Sequence, residues 1–151
     1  MTSSNKTPGL DQHAIAGSHY GFSATRIDDL GAAEYTLVTI AADKSGSVAP
    51  FENDIERCIA EVVAACHRSP RADNLMLRVI TFDSQLHEVH GFKPLSACQT
   101  DAYHGAIHSG GSTALYDAVY NAVEAVTRYG RDLSDADFDV NAIVFVITDG
   151  C

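Results

Sequence analysis

Two stretches of this chain, residues 35–42 (Tyr-Thr-Leu-Val-Thr-Ile-Ala-Ala) and 142–147 (Ala-Ile-Val-Phe-Val-Ile), are almost wholly apolar, and each leads towards an aspartate, Asp43 and Asp149. A strand with one face in water alternates apolar and polar residues, whereas runs this uniform belong to parallel strands covered on both faces. Such strands need helices above and below the sheet. With 46% apolar residues in 151, the chain has enough material for one domain of that kind.

The helices are legible as periodicity. Phe51, Ile55, Cys58, Ile59, Val62, Val63 and Cys66 recur at helical spacing until Ser69-Pro70, which cannot continue a helix. Cys58 and Cys66 are both expected to face the core, as small hydrophobes. Residues 75–82 and 85–92 read as two strands joined at Asp83-Ser84, a hairpin whose second strand is an antiparallel edge. Leu115, Val119, Ala122, Val126 and Tyr129 mark a second amphipathic helix that closes at Gly130, and an Asp-rich turn follows over residues 132–139. The expected fold is α/β: a Rossmann-like, three-layer α/β/α arrangement with a mostly parallel sheet and one antiparallel edge strand. Residues 1–20 lack periodicity and read as a flexible lead-in to a domain over 21–151.

Ten Lys and Arg against twenty Asp and Glu give a formal charge of −10, a field that repels phosphate backbones and anionic lipid. Neither nucleic acid nor a membrane is therefore an expected partner. Residues 1–11 lack the charged and apolar parts of a secretory signal, and no run is long enough to cross a bilayer. Four cysteines without a C-x-x-C read as reduced thiols, which suits a cytoplasmic protein.

In a sheet of this type polar residues of interest collect at the carboxyl ends of the strands. Asp43-Lys44-Ser45-Gly46-Ser47 follows the first apolar run as a D-x-S-x-S loop in which alternate residues can turn oxygens towards one point. Gly110-Gly111-Ser112-Thr113 opens the second helix, and Asp149 ends the last strand. Few acids and several hydroxyls suit a hard cation such as Mg²⁺. Asp43, Ser45, Ser47, Thr113 and Asp149 resemble, in order and in their elements, the metal-ion-dependent adhesion site of von Willebrand factor A domains. The local wording resembles bacterial intracellular members, such as those of tellurium-resistance clusters.

The resemblance implies that Ser45, Ser47 and Thr113 bind metal directly, that Asp43 and Asp149 act directly or through water, and that a partner's Asp or Glu completes the shell. Mg²⁺ or Mn²⁺ is the implied ion, ahead of Ca²⁺. The function expected is thus metal-dependent protein capture and not catalysis. A metal-dependent phosphoester hydrolase or phosphotransferase is the alternative, with a copy of the fold that binds no metal as a third reading. Members of the family continue past the second Asp, so the domain reads as incomplete at its C-terminus. The implied strand order 3-2-1-4 makes residues 142–147 an exposed edge open to self-association.

Two other patterns are set aside on their spacing. Asp135-x-Asp137-x-Asp139 begins like an EF-hand loop, but Val140 and Val146 stand where that loop needs Gly and Glu. His87, His90, His104 and His108 suggest zinc, yet His87 and His90 lie three apart on a strand and point to opposite faces.

Overall fold

The computed structural model describes residues 9–44, 52–99, 103 and 115–148. The two apolar runs become β3 (Glu34–Asp43) and β6 (Asp139–Ile147), and the hairpin becomes β4 (Leu75–Phe82) and β5 (Leu86–Pro94). Two further strands, β1 (Leu10–His13) and β2 (Phe22–Thr25), complete a six-stranded sheet in the order β1-β2-β5-β4-β3-β6. The segment β5-β4-β3-β6 has the order implied by the resemblance.

β3 lies between two parallel partners, in register from Thr36 with Leu75 to Asp43 with Phe82, and from Glu34 with Asp139 to Ala42 with Ile147. Its even residues Val38, Ile40 and Ala42 pack under Ile55, Ile59 and Val63 of α1 (Glu52–His67). Its odd residues face α2 (Leu115–Asp135), where Leu37 meets Ala125 and Tyr129 while Ala41 meets Ala118 and Ala122. One helix therefore covers each face, as the uniform apolar run requires.

Four expectations need correction. The segment 1–20 contains β1, paired antiparallel with β2 from Leu10 with Thr25 to His13 with Phe22, and Leu10 and Ile15 are buried. Its polar composition hid a short edge strand that has only one apolar residue to bury. The hairpin's second strand is not an edge either, because β2 runs parallel to β5 with Ala24 opposite Phe92. Only glycine permits that approach: a Cβ at Gly91 would collide with the backbone of Ser23.

The second helix does not close at Gly130 but continues to Asp135. Asp137 ends it by adopting a left-handed conformation (φ 71°), while the amides of Phe138 and Asp137 donate to the carbonyls of Leu133 and Ser134, each at 3.0 Å. These paired bonds satisfy carbonyls that the helix end would leave open. Cys58, finally, is exposed rather than in the core, and Cys66 is half-buried; both line an apolar groove of about 680 Å³ between α1 and the Ile143 and Phe145 side chains of β6.

β6 bounds the sheet among the described residues. Ile143, Phe145 and Val146 are large and exposed there, beside a row of backbone groups turned away from β3. No helix among the described residues is long and apolar enough to cross a membrane.

A charge sits within the sheet itself. Arg78, in the middle of β4, has no exposed surface and donates through Nε to Glu88 of β5 at 2.6 Å. Glu88 also accepts from the Ser23 amide at 3.0 Å and the Ser23 hydroxyl at 2.6 Å, and Arg78 Nη2 reaches the Gly21 carbonyl at 3.3 Å. Burial lowers the guanidinium pKa, and the carboxylate of Glu88 opposes that shift. Removing one partner of a buried pair leaves the other charge uncompensated, which typically costs about 3–5 kcal/mol. Glu88→Ala is expected to destabilise the fold by about that amount, measured as a lower urea midpoint with an unchanged slope.

Candidate functional site

The C-terminal ends of β3 and β6 form one rim, because the two strands are parallel neighbours. Ala42 and Ile147 are partners, so the chain continues from adjacent points into Asp43 on one strand and Thr148 on the other. α2 approaches the same rim from above: Leu115, at its start, packs with Phe82 and Leu86. Ala118, one turn on, joins Ala41 in that cluster.

Of the five candidate metal ligands, Asp43 is described. It is the last residue of β3, stands level with Phe82, is 3% exposed, and falls on the α2 side of the strand with Leu37 and Ala41. Lys44 follows, its amide donating to the Phe82 carbonyl at 2.7 Å, so the backbone stays tied to β4 one residue beyond the strand. Ser45, Ser47, Thr113 and Asp149 lie outside the described residues. The proposed donors are all oxygen, two carboxylates and three hydroxyls, which is chemistry that fits a hard divalent cation.

A second polar cluster lies beside the 95–103 segment. His90 Nδ1 is 2.9 Å from the Gly91 carbonyl and therefore carries its proton, which leaves Nε2 to accept from the Tyr103 hydroxyl at 2.7 Å. Tyr103 is 1% exposed and packs against Cys98 in the core beneath α1. His67, at the end of α1, bonds the Cys98 carbonyl at 2.8 Å. Burial is the main cause that pushes the His90 pKa down to about 4; Lys93 and Arg78 add to it, against the Gly91 carbonyl and Glu88. Burial also raises the hydroxyl of Tyr103 and the thiol of Cys98. The cluster ties Cys98 and Tyr103 to α1 and β5. His87, by contrast, is half-exposed, 3.9 Å from Asp83, while His104 and His108 lie outside the described residues.

The sequence reading missed the Arg78–Glu88–Ser23 centre and the His90–Tyr103 pair. Arg78 was visible as the one charge inside the apolar run 75–82, which is a signal that a partner must be buried with it. Nothing in spacing alone pairs His90 with Tyr103.

Among solved structures, proximal thread matrix protein 1 of the mussel byssus is similar to this chain in two crystal structures, one of which has a zinc-occupied MIDAS motif. Each aligns at 13% identity with a TM-score of 0.46 over 78% of this chain. The chain spans 36% and 37% of the length of those two. No protein-family profile and no curated protein matches it.

The depressed His90 pKa makes a prediction about stability. An unfolded His90 titrates near 6.5 and the folded one near 4, so on acidification the unfolded chain takes up the proton first. This contribution to stability is complete above about pH 6.5 and is lost as the pH falls towards 4. Urea melts are expected to show a loss of about 2 kcal/mol from this group between pH 7 and pH 5, and His90→Gln should remove that component of the slope.

Proposed function

We propose that the chain is a von Willebrand factor A-like domain that holds Mg²⁺ or Mn²⁺ at the carboxyl rim of its sheet and uses the ion to capture an Asp or Glu of a protein partner. The observation that supports this reading is the parallel β3–β6 pair, in which Ala42, just before Asp43, is the partner of Ile147, two residues before Asp149 in the sequence. Asp43 and Asp149 would hold the ion with Ser45, Ser47 and Thr113. With the three hydroxyls bound directly and a carboxylate acting through water, the ion would keep positive charge enough to bind one more carboxylate. An acidic chain thereby gains a local receptor for an anion, which its net charge of −10 would otherwise repel. This activity calls for binding without a chemical step. A second contact, through the edge of β6 that has no partner strand among the described residues, would let two copies associate independently of the ion.

A ligand that binds only the folded state raises the melting temperature. Millimolar Mg²⁺ or Mn²⁺ is expected to raise it relative to chelator in the wild type but not in Asp43→Ala; an identical melt with and without metal counts against the site. Thr113→Ala is expected to abolish metal-dependent capture of an acidic peptide in a pull-down while keeping the helical circular dichroism. Undiminished capture by that variant would sink the mechanism.

A further inference from the structure

Three buried polar atoms lack a hydrogen-bond partner among the described residues: Thr39 Oγ1, Arg78 Nη1 and Asn121 Oδ1. They belong to three different elements, yet the fold brings them to the α2 side of the sheet. Thr39 and Arg78 are register partners on β3 and β4, and so project to the same face. Along α2, Ala118 and Ala122 pack over Ala41 and Ile80, whereas Ala125 and Tyr129 pack with Leu37 and Met76. Asn121, one residue before Ala122, is buried on α2 next to the level of Ala41 and Ile80, one pair of residues along the same face from Thr39 and Arg78. A shared acceptor supports the convergence, since Arg78 Nη2 and Asn121 Nδ2 both donate to the Gly21 carbonyl, at 3.3 and 3.1 Å.

We infer that Thr39, Arg78 and Asn121 form a binding site for an internal water molecule that joins α2 to the centre of the sheet. The donor and acceptor chemistry selects the ligand. Arg78 Nη1 can only donate and, with Nδ2 committed to the Tyr20 and Gly21 carbonyls, Asn121 presents only an acceptor. An anion would meet the Asn121 oxygen and a guanidinium already neutralised by Glu88 at 2.6 Å. A cation would meet Arg78 itself. A small neutral molecule that both accepts and donates satisfies the two, and the Thr39 hydroxyl supplies the third bond that buried waters typically make. Thr39 and Arg78 are 0% exposed and Asn121 is 1% exposed, so such a water exchanges only when α2 lifts or the segment around Tyr20 opens.

The test has two readouts on the whole chain. Water-selective NOE and ROE spectra of the wild type are expected to show a long-lived water, with cross-peaks of opposite sign in the two experiments, at the Asn121 side-chain amide protons. Thr39→Val keeps the shape and removes the hydroxyl. If that hydroxyl bonds a water, the variant melts about 2–4 °C lower; if it is buried without a partner, its removal relieves a desolvation penalty and the variant melts higher. A missing long-lived water at Asn121, or a higher melting temperature for Thr39→Val, overturns the inference.

Discussion

A guanidinium buried in the middle of a strand must be neutralised and hydrogen-bonded where it lies, and β2 and the residue before it are arranged around that need. Arg78 takes Glu88 from the adjacent strand, and Glu88 in turn takes the amide and hydroxyl of Ser23. This draws β2 alongside β5. The Phe22 ring then lies 6.0 Å from the guanidinium carbon and packs edge-on to Phe92, while Thr25 bonds the Phe92 carbonyl at 2.9 Å and Tyr129 of α2 bonds the Thr25 carbonyl at 2.6 Å. A single charge thus links the hairpin, the added strands and the second helix.

The central architecture was legible because its signal is redundant. The uniform runs before Asp43 and Asp149 both became parallel strands, but only β3 is covered on both faces, whereas β6 leaves Ile143, Phe145 and Val146 exposed; the spacing of Ile55, Ile59 and Val63 gave the face of α1 correctly. What escaped were features set by partners distant in sequence. β1 and β2 have few apolar residues of their own, and β2 is held through Ser23 by a carboxylate 65 residues away. Gly130 carries a helix-ending signal that the packing of α2 on the sheet overrides: Val140 and Leu37 lie within van der Waals distance of that position, and Asp137 ends the helix instead. Cys58 fits the apolar period of α1 yet lines the groove beside β6, which bounds the sheet among the described residues.

The candidate site was legible in a different way, as five oxygen-bearing residues in order and not as a geometry. The strand ends gain a physical setting from the β3–β6 register, which brings the chain at Asp43 and at Thr148 to one rim. Asp43 itself ends β3 level with Phe82 of β4, one residue beyond the last pairing of β3 with β6 at Ala42 and Ile147. The expected hydroxyl donors Ser45, Ser47 and Thr113 lie outside the described residues, and spacing in a sequence gives composition but not direction.

The place of β6 in the chain has a consequence for synthesis. β3 meets β4 after a crossover through α1, but its other neighbour spans residues 139–147, so closing that pairing spans about a hundred positions. On a ribosome adding roughly 5–20 residues per second, the stretch between the end of β5 and the end of β6 takes roughly three to ten seconds to make. During that interval the nascent chain carries β3, apolar from Leu37 to Ala42 but for Thr39, with one flank bare. Any chaperone that attends this protein meets it then, with β3 waiting for a mate that has not yet been translated.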